Sequence, residues 1–278
     1  MNKSAIKLGW LVMVLLVTVT HGAPVFPLPP FTVYGKVRDW NGRALVTADE
    51  AVVIARTTNG AEVARSPVTS GIYPDLTYRL TIPLASGPAA GRGQVGEPLL
   101  FEVYYDGLTH AVTTEQAVPI GHPATALGCT LMLGTFSHGS QLPDEYLELL
   151  LGYYQMAGWG NDLSDISPDD DFDGDGYSNF QEFLAGTIPV LPEDYLRVLG
   201  FSMPDTTSSA LRFMTAPGRT YAIPFASQIG SNAWGRADFV TSTNGVAAQS
   251  FYSSEHDAYI TIYLTPTTNA AYYGVEVK

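Results

Sequence analysis

The chain has 278 residues, 46% of them hydrophobic, and 27 acidic side chains stand against 14 basic ones for a formal charge of −13. That surplus of negative charge argues against nucleic acid and anionic membrane surfaces as partners, because both reward Lys and Arg. A single cysteine, Cys129, excludes an internal disulfide, so stability must come from packing or from metal.

In chain order, residues 1–22 read as a secretory signal peptide. Lys3 and Lys7 give the positive start, Leu8–Val19 the apolar stretch, and Thr20-His21-Gly22 the small residues of a cleavage site. The apolar stretch falls short of the roughly 20 residues needed to span a bilayer, so cleavage is expected rather than anchoring. No second apolar run of spanning length follows, so the mature chain is expected to be exported and not inserted in a membrane. Residues 23–30 are Pro-rich and predict an extended lead-in. The length suggests two compact domains plus connectors.

Residues 31–135 predict an N-terminal β-sandwich. Thr32–Arg38, Ala51–Arg56, Glu62–Ser66, Thr77–Ile82, Leu99–Tyr105, Thr109–Val112 and Ala126–Leu133 are short strand patterns, with Asn41-Gly42 and Asn59-Gly60 as turns. Cys129 falls on one strand face with Leu127, Leu131 and Leu133, which makes it a small core residue rather than a reactive thiol. Residues 141–190 predict a helix followed by a loop-helix linker. Pro143 suits the first position of a helix over Pro143–Ala157, with Asp144 and Glu145 at its positive end and Leu147, Leu150, Leu151 and Tyr154 on one face. Residues 195–278 return to a strand pattern and predict a second β-sandwich. Its expected strands include Arg197–Phe201, Ala210–Thr215, Thr220–Ala226, Ala237–Thr241, Gln249–Tyr252, Ala258–Leu264 and Ala271–Val277.

The chemistry concentrates in residues 171–182. Asp171, Asp173 and Asp175 alternate, Gly176 follows, Asn179 stands ninth and Glu182 twelfth. That is the ligand spacing of an EF-hand calcium loop. Calcium wants six to eight oxygens, and alternating aspartates on a tight turn aim carboxylates inward. Tyr177 would contribute its backbone carbonyl. Glu182 would close the shell from a following helix, Asn179–Ala185, ended by Gly186 and Pro189. There is no Lys or Arg from Gly93 to Leu196, so a bound cation is the simplest partner for these acids. The alternative is a solvated acidic loop held by Asx-turns. Two features differ from a full EF-hand: Gly158-Trp159-Gly160 and Ser167-Pro168 interrupt the incoming helix, and the eighth place is Ser178 rather than an aliphatic residue. Asp162, Asp165, Asp169 and Asp170 leave a second ion site open.

Leu142-Pro-Asp-Glu-Tyr146, then Asp171-Phe-Asp-Gly-Asp-Gly-Tyr-Ser-Asn-Phe-Gln-Glu-Phe-Leu-Ala-Gly-Thr187 and Pro189, resembles the calcium loop-helix of dockerin-like and thrombospondin type 3-like repeats in large exported bacterial proteins. The resemblance implies Ca2+ ligands at Asp171, Asp173, Asp175, Tyr177 through its backbone, Asn179 and Glu182. Dockerins carry paired loops that dock a cohesin and thrombospondin type 3 arrays string many, whereas one complete loop stands here. The flanking regions look like immunoglobulin-like sandwich modules of such proteins.

Catalytic signatures are not evident. Gly-x-Ser-x-Gly, His-Glu-x-x-His and a phosphate-binding glycine loop are absent, and His110, His122, His138 and His256 are widely spaced. Glu97, Glu102 and Glu115 are carboxylates without distinguishing context. The expectation is a mainly β, non-enzymatic, exported calcium-binding protein of adhesion, surface or scaffold type, with calcium stiffening the connector between two β domains. The alternative is a glycan-binding or protein-docking module, for which Trp40, Trp159 and Trp234 are the candidate contacts and a cell-surface protein or polysaccharide the partner. A hydrolase comes third.

Overall fold

The computed structural model describes residues 26–70, 76–114, 117–204, 208–228, 234–243, 245, 248–264 and 272–278. The expected signal peptide and Glu115 lie outside the described residues. Within them the protein is mainly β, with two α-helices and several sheets. Among the described residues no helix is long and apolar enough to cross a membrane.

The first strands are β1 (Pro27–Gly35), β2 (Val37–Arg38), β3 (Val52–Thr57), β4 (Glu62–Pro67), β5 (Tyr78–Ala85), β6 (Pro98–Tyr105), β7 (Leu108–Thr114), β8 (Val118–Pro119), β9 (Ala126–Gly128) and β10 (Leu131–Leu133). They form one sheet ordered β5-β1-β9 and a second ordered β2-β10-β7-β6-β3-β4, with β8 also on β6. Alternation explains the core between them. Tyr78, Leu80, Ile82 and Leu84 of β5 face inward and meet Val53 of β3 and Val103 of β6 in one buried cluster. Cys129 is half-buried against that cluster.

Two expected strands are each broken in two. Thr32–Arg38 divides into β1 and β2, and Ala126–Leu133 into β9 and β10. At both breaks the chain passes from one sheet to the other, and the two crossing segments run side by side: β1 pairs parallel with β9, and β2 with β10. The approach is close. A Cβ on Gly35 would lie 1.9 Å from the Cys129 carbonyl oxygen, which also accepts the Tyr78 hydroxyl at 2.6 Å. Of the expected extended lead-in over residues 23–30, residues 27–30 already belong to β1, which pairs Pro27 with Ala85, and residues 23–25 lie outside the described residues. Prolines are tolerated there because β9 pairs only with Thr32–Tyr34, which leaves the start of β1 as an edge.

Next come α1 (Asp144–Ala157) and α2 (Asn179–Ala185). Pro143 is the N-cap of α1 and not its first helical residue. Leu142, Leu147, Leu150 and Tyr154 bury one side of α1 against Ile166 and Phe183, so both helices share one core. Met132 of β10 packs on that core as well. The join is tied by polar contacts: Asp144 N donates to Thr135 O at 2.7 Å, and Thr135 N donates to Glu145 Oε2 at 3.0 Å.

The last strands are β11 (Val198–Ser202), β12 (Ser209–Thr215), β13 (Thr220–Ala222), β14 (Pro224–Ala226), β15 (Gly235–Arg236), β16 (Phe239–Val240), β17 (Tyr252–Ser253), β18 (Ala258–Leu264), β19 (Tyr272–Tyr273) and β20 (Glu276–Val277). Their sheets run β11-β12-β18-β16, β17-β13-β20 and β15-β14-β19. Leu211, Phe213, Tyr221, Ile223, Phe239 and Ile262 make the core. The expected strands Thr220–Ala226 and Ala271–Val277 are again split, this time beside Pro224, whose missing N–H interrupts a ladder.

The two β regions touch directly. Ala44 N donates to Gly218 O at 3.0 Å, and Lys36 Nζ and Arg38 Nη2 donate to Lys278 O at 2.8 and 2.7 Å. The helical segment therefore sits beside a contact between the β regions and is not their sole connection.

Candidate metal centre

The loop from Asp171 to Glu182 is shaped by its own acids. Asp171 Oδ1 accepts from Gly174 N at 2.8 Å and Asp171 Oδ2 from Gly176 N at 2.9 Å. Asp173 Oδ1 accepts from Asp175 N at 3.2 Å, and Asp175 Oδ1 from Tyr177 N at 2.8 Å. Each aspartate thus spends oxygen on a turn. Gly176 takes a φ of +97°, a conformation that a residue with a Cβ resists. Oxygens of Asp171, Asp173 and Asp175 come within 4.8 Å of one another.

A second observation is independent of the turn geometry. Asp173 Oδ2, Asp175 Oδ2, Asn179 Oδ1 and Glu182 Oε2 are buried and have no hydrogen-bond partner. Glu182 is 1% exposed and Asn179 is fully buried. An unpaired buried carboxylate is costly, and four unpaired oxygens within twelve residues of chain require something to compensate them. They fall at the third, fifth, ninth and twelfth places of the loop, where the calcium spacing puts ligands.

The electrostatics agree with this. Burial pushes the Glu182 carboxyl up to about 8, and the charges of Asp173, Asp175 and Asp171 push the same way; the Thr187 hydroxyl opposes them. Asp173 is raised by burial first and also by the charges of Asp175 and Asp171, while the backbone N–H groups of Asp175 and Leu191 oppose the rise. Carboxylate and amide oxygens are the donors that a hard cation takes.

The elements explain how the donors are held. Ser178 caps α2 and reciprocates with Gln181, so the helix that carries Glu182 has a fixed start. The spacing Ser178-x-x-Gln181 was readable in the sequence as a capping box. Asn179 Nδ2 donates to the Tyr154 hydroxyl and to Ser167 O, both at 2.9 Å. The Tyr154 hydroxyl donates in turn to Asp170 Oδ2 at 3.0 Å. The ring of Tyr154 stacks on Phe172, and Trp159 meets Phe172 edge-on with centroids 4.9 Å apart. So α1, though cut off from the loop by thirteen intervening residues, still supports it through one tyrosine. The sequence carried no signal for that contact.

Three of the other acids accept hydrogen bonds within their own turns. Asp162 Oδ1 accepts from Ser164 N, Asp165 Oδ2 from Asn161 N and Asp162 N, and Asp170 Oδ2 from Ser167 N. Among the described residues the acidic group close enough to share a cation is Asp171, Asp173 and Asp175, and Glu182, buried on α2, is not part of that group. Among the described residues no arginine pairs with the carboxylates of the loop. Arg219, 3% exposed, reaches α2 but donates to backbone carbonyls: Leu184 O at 2.8 Å, Phe183 O at 2.9 Å and Asn41 O at 2.7 Å. It thereby caps the negative end of α2 and joins it to both β regions.

The remaining candidates are placed as follows. Ser137 Oγ and Asp144 Oδ1 both approach His138 Nδ1, at 2.9 and 3.3 Å, and His138 Nε2 lies 3.9 Å from Asp162 Oδ1. His110 Nε2 lies 3.2 Å from Tyr105 O. Glu102 pairs with Arg56 at 2.9 Å, and Glu97 Oε2 accepts from Gln94 N. Trp40 clusters with Tyr105 and His110, Trp159 with Tyr154 and Phe172, and Trp234 stands exposed beside β15. Comparisons with protein-family models, curated proteins and solved structures give no match for this chain.

Proposed function

We propose that this is an exported, non-enzymatic calcium-binding protein with an adhesion, surface or scaffold role, in which one EF-hand-type site fastens α2 at the meeting point of two immunoglobulin-like sandwich domains. The observation that carries the reading is the set of four buried, unpartnered oxygens on Asp173, Asp175, Asn179 and Glu182. Asp171 and the Tyr177 carbonyl complete the ligand set. The leader-like residues 1–22 support export, which meets a calcium-rich exterior.

Bound calcium supplies the positive charge that lets these carboxylates stay ionised while buried. The rest is done by the chain. Glu182 ties the loop to α2. Phe183 and Leu184, the next residues, present their carbonyls to Arg219, which also holds Asn41. Three consecutive residues thus link the ion site to both β regions. At free calcium of about 100 times Kd, the ion adds about 2.7 kcal/mol to stability.

The test is a calorimetric calcium titration of the chelator-treated mature chain, with melts in both states. One site and a raised Tm are expected. No heat and an unchanged Tm would overturn the assignment.

A further inference from the structure

A cleft of about 440 Å3 lies between the N-terminal β region and the helical segment. Thr113 of β7, with Thr130 and Met132 at β10, forms one wall; Phe136 and Gln141, which precede α1, and Phe180 of α2 form the other. The volume falls within the roughly 300–1,000 Å3 range of small-ligand sites. None of the described lining residues is ionisable, in a chain whose formal charge is −13. The lining therefore offers nothing to pair with an anionic or cationic ligand. What it does offer is of two kinds. Phe136, Phe180 and Met132 give apolar faces, and Thr113, Thr130 and Gln141 give hydroxyl and amide groups that both donate and accept.

From this pairing we infer that the cleft is a binding site for an uncharged saccharide. A sugar ring has the matching character: C–H faces that lie against aromatic and thioether surfaces, and a rim of hydroxyls that exchange hydrogen bonds with threonine and glutamine. An apolar peptide would leave the polar groups unpaired, and a uronic acid would bring a charge with no partner. The site is distinct from the three tryptophans, which lie outside it. Phe180 is fixed by its N–H, which donates to Pro168 O at 3.0 Å, and its ring packs on the core shared by α1 and α2.

The experiment is a calorimetric screen of the mature chain, in calcium-containing buffer, against cello-, xylo-, manno- and β-1,3-gluco-oligosaccharides, with oligogalacturonate as the charged control and an apolar peptide as the second. Binding of at least one neutral oligosaccharide is expected, with none of the controls bound. Phe180→Ala should weaken it by about tenfold, the scale of one aromatic contact. Thr113→Lys, at an exposed position on β7, should abolish it while the Tm stays unchanged. The inference is overturned if no neutral oligosaccharide binds, if one binds Thr113→Lys and Phe180→Ala as tightly as the parent chain, or if only the peptide or oligogalacturonate binds. Because calcium binding is titrated separately, failure here leaves the ion site standing, and failure of the ion site leaves this result readable.

Discussion

At the scale of single residues, Glu182 separates a metal ligand from a structural carboxylate. It is an acid whose folded-state value is raised from 4.5 to about 8, with burial as the main cause. The calcium-free fold keeps a proton there that the unfolded chain has lost. Its contribution to stability is therefore greatest below pH 4.5 and is lost as pH climbs towards about 8. Two outcomes follow. Glu182→Gln removes the cost of ionisation, so without calcium it should melt at or above the parent temperature at pH 8. With calcium the order should reverse, because affinity falls by at least the roughly 10–100-fold that loss of even an outer-shell partner costs. Melts that fall equally in both states would mean that Glu182 is structural only. Binding should also expel that proton: calcium titrations at pH 7, in buffers of different protonation enthalpy, should show release of about one proton per ion. No dependence on buffer would contradict the assignment. Asp171→Ala is a less clean probe, since Asp171 also accepts from Gly174 and Gly176.

Elements show where the sequence was legible and where it was not. The calcium spacing and both helices could be read because they depend on neighbours: turn residues, caps and a 3.6-residue period act within a few positions. Strand existence was legible for the same reason, through alternation. Strand continuity was not. Thr32–Arg38 and Ala126–Leu133 look like single strands because nothing in either marks a crossing between sheets; the reason lies in the other segment, where Cys129 O sits against Gly35. Tyr154 and Arg219 were missed likewise, as their partners are remote in the chain. Arg219 carries the largest consequence. Its guanidinium fork serves three carbonyls on two elements, which a lysine cannot span. Arg219→Lys should cost about 2–4 kcal/mol, since buried carbonyls are left unpaired. Chemical denaturation with and without calcium measures it. A loss under about 0.5 kcal/mol, the range of ordinary surface changes, would remove Arg219 from the junction.

For the whole molecule, the central claim is that one ion site and the contact between the β regions are coupled through α2. The described contacts give a short route: the loop to Glu182, Phe183 and Leu184 to Arg219, and Arg219 to Asn41, beside the Ala44–Gly218 hydrogen bond. Calcium should then tighten regions that hold no ligand. The most direct measurement is amide hydrogen exchange of the mature chain, followed by mass spectrometry, with saturating calcium and with chelator. The account predicts slower exchange with calcium over residues 167–191 and also at 39–44 and 216–219. Protection limited to 167–191 would leave a calcium site without the coupling, and unchanged exchange over 171–182 would contradict the site itself.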